Sequence, residues 1–140
     1  MEDQIKGIKF KKLSIIKVPG GDVYHALKKS DLEYEGFGEA YFSSILYNEI
    51  KAWKRHNEMT MNLIVPIGEV KFVFKDKFNI FTEYIIGESN YGRITVSPNI
   101  WFGFKGVSKK TSIILNISNI IHTVDEADKV DMLDIEYNWA

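Results

Sequence analysis

The chain has 140 residues, 45% apolar and 14% aromatic, with three prolines and no low-complexity tract, which argues for one folded domain over residues 1–140 and against a disordered protein. Eighteen basic residues face nineteen acidic ones, so nothing in the charge draws the chain to nucleic acid or to a membrane surface. Without cysteine there is no disulfide, thiolate nucleophile or thiolate metal site. Without an apolar leader, or a run near the roughly 20 residues of a spanning helix, the reading is a cytoplasmic protein.

Residues 8–18 alternate loosely between apolar and lysine-rich positions up to Pro19-Gly20-Gly21, the pattern of an edge strand and a turn. After Gly36-Phe37-Gly38, the aromatic stretch 39–47 and the basic stretch 50–56 are predicted to form a hairpin about Asn48-Glu49. An apolar strand then runs to a break at Pro66–Gly68 and resumes as 69–74. Further strands are predicted at 81–86, 91–96, 100–105 and 111–119. The last twenty residues are acidic, with room for a short helix. Eight or more short strands at about ten-residue spacing, and no long amphipathic helix, predict an all-β sandwich or barrel. Alternation at Val70, Phe72 and Phe74, and again at Ile113 and Leu115, is read as the core face.

Most of the polar chemistry sits on 50–56. Lys54 and His56 share one face by strand alternation, with Ala52 beside them, while Trp53 and Arg55 take the other. If the first face is interior, two cationic groups share a cavity and each lowers the other's pKa. If it is exterior, both are solvated surface residues; periodicity leaves the choice open. Trp53 and Arg55 would suit a dimer interface. Glu39, Tyr41 and Ser43 alternate on the preceding strand, and face the cavity unless Ala40 and Phe42 face the core instead. Asn62 flanks the expected cavity, and Arg93 and Trp101 are candidates to pair a phosphate and stack a base. His56 with Glu58 is a fragment of a metal-binding pattern, but no second histidine follows Gly103, so no metal or other cofactor is expected.

In order, Lys51-Ala-Trp-Lys-Arg-His56, Val65-Pro-Ile-Gly-Glu-Val70, the turn at 87–90 and Val96-Ser-Pro-Asn-Ile-Trp-Phe-Gly-Phe104 resemble the dTDP-4-dehydrorhamnose 3,5-epimerase family of cupins. They are also similar to the dTDP-4-keto-6-deoxyglucose 3,4-ketoisomerases. The resemblance spans about residues 36–126. It implies a jelly-roll barrel, usually a homodimer, that holds a nucleotide-linked 4-keto-6-deoxy sugar in its mouth without a metal. The carry-over is uneven. Lys51 stands for a diphosphate-binding Arg, Lys54 for a histidine base, and Phe102 for a second histidine. No tyrosine on 111–121 matches the family's acid, and only His56 keeps a matching place.

Removing a proton next to a carbonyl needs a base, a group to hold the enolate and an acid to return the proton. The expected roles are His56 as base, Lys54 as enolate stabiliser or alternative base and Tyr41 as acid. Lys51 and Arg93 are assigned to the diphosphate, with Glu39, Asn62 and Trp101 contacting substrate. Glu126, in the place of the family's closing Glu, reads as a local structural partner; His25 and Lys28 read as residues of a surface turn, with a phosphate-binding group offered across a dimer as the alternative that the resemblance implies. The losses at Lys54, Phe102 and the acid tyrosine favour a second reading, a sugar-binding or regulatory cupin that kept the fold and lost the chemistry.

Overall fold

A computed structural model describes residues 5–140; the first four positions of the expected domain lie outside the described residues. Two five-stranded antiparallel sheets face each other. The first runs β1 (Ile8–Lys12), β9 (Gly92–Val96), β6 (Met61–Ile67), β11 (Ser112–Ser118) and β4 (Glu39–Ile45). The second runs β12 (Ala127–Lys129), β5 (Ile50–His56), β10 (Trp101–Gly106), β7 (Glu69–Lys75) and β8 (Phe81–Gly87). A ribbon of β2 (Ile15–Ile16) and β3 (Val23–Tyr24) lies beside them. From β4 onward nearly every connection carries the chain from one sheet to the other, which is the all-β architecture expected from the spacing of the strands, in the jelly-roll form that the resemblance implies. The lysine-bearing β1 pairs with β9 alone and is an edge strand, as its sequence suggested.

The hairpin expected between 39–47 and 50–56 does not form. β4 pairs with β11 and β5 with β10 and β12, in opposite sheets. The connection turns at Asn48 (φ 65°), and its backbone bonds to Gly106 instead: Asn48 N–H to Gly106 C=O at 2.8 Å, and Gly106 N–H to Glu49 C=O at 3.1 Å. Two neighbouring strands that each carry one buried face can close on each other across a sandwich as well as pair edge to edge. A similar crossing occurs at Gly68, where φ is +86° and an added Cβ would lie 2.1 Å from Ser112 Oγ, so only glycine fits. The break therefore falls at Gly68, with Pro66 and Ile67 still in β6.

Val70, Phe72 and Phe74 point into the core beside Leu63, Ile94 and Ile114. On β11 the expected parity is reversed. Ser112, Ile114, Asn116 and Ser118 are the buried residues, while Ile113, Leu115 and Ile117 lie half-buried on the outer face. The inner end of this strand is polar because it lines a site, and an apolar-inside rule misplaces it.

The C-terminal segment straps the outer face of the second sheet. Trp139 packs on Trp53 with ring centroids 5.3 Å apart, Tyr137 and Phe81 close the cluster, and Trp53 Nε1–H donates to Met132 C=O at 3.2 Å. Trp53 is therefore covered by its own chain, not offered to a second subunit. Truncating a tryptophan so buried to alanine costs about 3–5 kcal/mol, which is the scale of the anchorage that holds this segment down.

Candidate functional site

Between the sheets lies a cavity of about 210 Å³ lined by residues of both, among them Tyr41, Ser43, Lys51, Lys54, His56 and Asn116. It adjoins a groove of about 390 Å³ that shares Lys51, Lys54, Phe102 and Phe104 and adds Lys129. The question left open by periodicity is answered: Lys54 and His56 face inward. Glu39, Tyr41 and Ser43 share the inward parity of β4, while Phe42 is 69% exposed on the other face. Ala52 does not join them. A bulge in β5 pairs Gly103 with Ala52 and Phe102 with Lys54, so strict alternation fails at Trp53. Lys51, opposite Phe104, takes the cavity side in its place, and Ala52 turns to the outer side with the aromatic cluster.

His56 is 3% exposed, and its Nδ1–H donates to Glu126 Oε1 at 2.5 Å. The other carboxylate oxygen accepts the backbone N–H of Glu58 at 3.0 Å and of Met59 at 2.8 Å. Glu126 reaches this position because β12 pairs with the edge of β5, setting Ala127 opposite His56. Arg55 and Asp128 lock the same pairing outside with an ion pair of 2.7 Å. Phe102 stacks on the imidazole at 5.9 Å and 16°. Burial pushes the His56 pKa below its usual value, and the Glu126 hydrogen bond and charge oppose this only in part. Burial pushes the Glu126 carboxyl up, but the N–H groups of Glu58, His56 and Met59 outweigh it and leave the pKa lowered. Both shifts describe one state, a neutral imidazole bonded to a carboxylate, with Nε2 free to accept a proton. Lys54 is also lowered, by burial first and then by Lys129, while Glu126 and Glu39 hold it up. Of the mutual effect expected between Lys54 and His56, one half is present: Lys54 lowers His56, with burial the larger cause, whereas the charge that lowers Lys54 is that of Lys129.

Tyr41 stands on the facing sheet and accepts a hydrogen bond from Asn116 Nδ2–H at 3.0 Å. Glu39 acts on the site through its charge near Lys54. Three other expected site residues do not line the cavity. Arg93, 1% exposed, is on the outer face of the first sheet, where its guanidinium donates to Ala26 C=O and pairs with Asp31 at 3.2 Å and Glu33 at 2.9 Å. Two carboxylates neutralise it, so it is not available to a diphosphate. Asn62, also on that face, accepts from Thr95 Oγ1–H at 2.6 Å and donates to Glu33 C=O. Trp101 lies on the outer side of β10, under the Arg55 guanidinium at 4.8 Å. In each case strand parity decided against the expectation.

Among the described residues, the one set of side chains that could gather round a cation is His56, His122 and Glu126, with ligand atoms within 4.8 Å of one another. The hydrogen bond between Nδ1 and Oε1 already engages two of the three, which suits an oriented base better than a metal centre. Sequence reasoning did not find the His56–Glu126 pair, Asn116 or Lys129. The Glu126 pair spans 70 positions along the chain, and no local spacing announces it.

No protein-family model matches the sequence. A dTDP sugar isomerase from Desulfovibrio desulfuricans is 29% identical, with a TM-score of 0.91 over 96% of this chain and 92% of that one. A dTDP-6-deoxy-D-glucose 3,5-epimerase from Legionella pneumophila, solved with dTDP-4-keto-L-rhamnose, superposes with a TM-score of 0.81 at 16% identity, covering 96% and 78%. A sugar 3,4-ketoisomerase from Thermoanaerobacterium thermosaccharolyticum gives 0.78 at 14%, covering 94% of each. Among curated sequences, a probable low-salt glycan biosynthesis epimerase of Haloferax volcanii is 26% identical over 105 residues, 69% of this chain and 67% of that one. The resemblance drawn from the motifs thus holds in fold and in sequence. No helix among the described residues is long and apolar enough to cross a membrane.

The shifted His56 predicts a proton titration. Its imidazole resonances should titrate with a midpoint below pH 6.5, and lower still in Glu126→Gln, because the carboxylate charge raises that pKa. Since the folded state disfavours the protonated ring, this contribution to stability is whole above about pH 6.5 and is lost as pH falls from there through the lower pKa of the folded state. An NMR midpoint at or above 6.5 in the native chain would contradict the assignment.

Proposed function

We propose that this protein is a sugar-nucleotide epimerase or keto-isomerase that acts, without a metal, on a nucleotide-linked 4-keto-6-deoxy sugar in surface-polysaccharide biosynthesis. The observation that carries the proposal is the buried His56–Glu126 pair. Placing an imidazole and a carboxylate out of water is costly unless each is fully bonded, and here one nitrogen is left over, beside a cavity. A module that only binds sugar has no need of such a group. The dTDP sugar isomerase and the epimerases similar to this chain support the same substrate class.

In this reading His56 Nε2 removes the proton next to the 4-keto group. The electron pair moves onto the carbonyl oxygen, which Lys54 stabilises, and Tyr41 returns a proton from the opposite wall. Lys51 and Lys129, at the groove beside the cavity, take the diphosphate role in which Arg93 cannot serve. Glu39 tunes Lys54. We treat residues 1–140 as one cupin domain working in the cytoplasm, where nucleotide-linked sugars are made. We also propose a homodimer, joined through the outer face of β4 and β11, where exposed Phe42 sits opposite half-buried Leu115 with Leu46, Ile113 and Ile117 around it.

In D2O, dTDP-4-keto-6-deoxyglucose and related sugars should gain deuterium next to the ketone, and His56→Ala should slow this by about 10²–10⁴-fold. Binding without exchange across such a panel would instead identify a non-catalytic sugar-binding cupin. Lys129→Met should raise KM about tenfold with kcat little changed, as expected when binding energy common to ground and transition states is removed; a loss confined to kcat would remove Lys129 from the binding role. Light scattering should give the mass of a dimer that Phe42→Asp turns into monomer, whereas a native monomer would exclude the interface.

A further inference from the structure

We infer that Asn116 is a positioning residue that makes Tyr41 the proton donor of this site, an inference that rests on the reaction proposed above. Asn116 is 5% exposed and stands in register with Tyr41 across the β4–β11 ladder. Its Nδ2–H donates to the phenol oxygen at 3.0 Å, and its Oδ1 accepts from Ser118 Oγ–H at 3.3 Å, with Ser118 fully buried. Ser118 thereby bonds the end of the amide turned away from the tyrosine. A buried amide on the inner face of a strand is expensive unless bonded at both ends, and Asn116 is bonded at both, with its nitrogen toward Tyr41.

The consequence falls on the hydroxyl. With Asn116 donating to its oxygen, Tyr41 cannot also donate to that amide nitrogen, and among the described residues its own hydrogen has no acceptor. Tyr41 lines the cavity and is 41% exposed at its mouth, so the hydrogen is left for a group bound there. After transfer, the Asn116 N–H remains on the oxygen and stabilises the phenolate. The step balances. His56 Nε2 takes the proton from carbon as the C–H pair forms the enolate; the enolate collapses to the ketone as Tyr41 O–H protonates carbon. Solvent then takes the proton from His56 and returns one to Tyr41. Base and donor belong to different sheets, so the proton leaves and arrives from different walls. No tyrosine on β11 itself could serve; Tyr41 does so from the neighbouring strand, with Asn116 as its support.

The test compares deuterium exchange with product formation on dTDP-4-keto-6-deoxyglucose in D2O. Tyr41→Phe and two variants, Asn116→Leu and the shape-conserving Asn116→Asp, are compared with the native chain. Exchange should stay near the native rate in all three, because His56 can remove a proton and solvent-derived deuterium can return through it. Product should fall by at least about 10²-fold in Tyr41→Phe and about tenfold in the Asn116 variants. A parallel fall of exchange and product in both Asn116 variants would show a merely structural residue and overturn the inference, as would product formation unchanged in both. Absence of exchange in the native chain overturns the functional reading itself, and is distinguishable from either result.

Discussion

The hydrogen bond between His56 and Glu126 is the constraint on which the rest of the site depends. It joins β5 of the second sheet to the segment after β11, and it requires that segment to run along the β5 edge as β12. The strap of Tyr137 and Trp139 over Trp53 holds the same segment from outside, and the Arg55–Asp128 pair fixes the register between them. The aromatic cluster, which lies outside the cavity, therefore helps keep the His56 imidazole oriented. Glu126 is bonded at both oxygens, so the imidazole is held in one tautomer with Nε2 unengaged.

Around this pair the site is arranged by exclusion of water. Phe102 lies flat on the imidazole where the family has a histidine, and its contribution is to dry the ring and favour the neutral form. The β5 bulge then supplies cations. By moving Lys51 to the inner side beside Lys54, it puts two lysines on the cavity wall, and β12 brings Lys129 opposite Lys54. A concentration of positive charge at one mouth, in a chain whose net charge is close to zero, suits a diphosphate better than it suits an uncharged sugar.

What the sequence made legible follows from which signals are local. Strand spacing predicted the all-β fold, and the Lys51-to-His56 motif marked the strand whose Lys51, Lys54 and His56 line the cavity. The inward face of Glu39, Tyr41 and Ser43 also agreed with simple alternation. Errors arose where alternation was broken or inverted. The bulge exchanged Ala52 for Lys51, and β11 turned its polar residues inward, so Ile113 and Leu115 were misread as core. Arg93, Asn62 and Trp101 were attractive by residue type alone. Their partners, Asp31, Glu33, Thr95 and Arg55, are mostly far along the chain, and only the fold shows that each is already engaged on an outer face. The non-catalytic alternative rested on residues missing at Lys54, Phe102 and the acid tyrosine; the Glu126 bond to His56 lay beyond any local pattern, and alternation alone left open the placement of Tyr41 on the cavity wall.

The most direct test of this account is a crystal structure of the protein with a dTDP-linked 4-keto-6-deoxy sugar. The account predicts the hexose between the two sheets with a hydrogen-bearing carbon next to the ketone within about 3.5 Å of His56 Nε2, the near-attack range, the ketone oxygen at Lys54, and the diphosphate between Lys51 and Lys129. A sugar nucleotide seated instead on the outer face of the first sheet, beside Arg93 and Lys28, with the cavity unfilled, would contradict it.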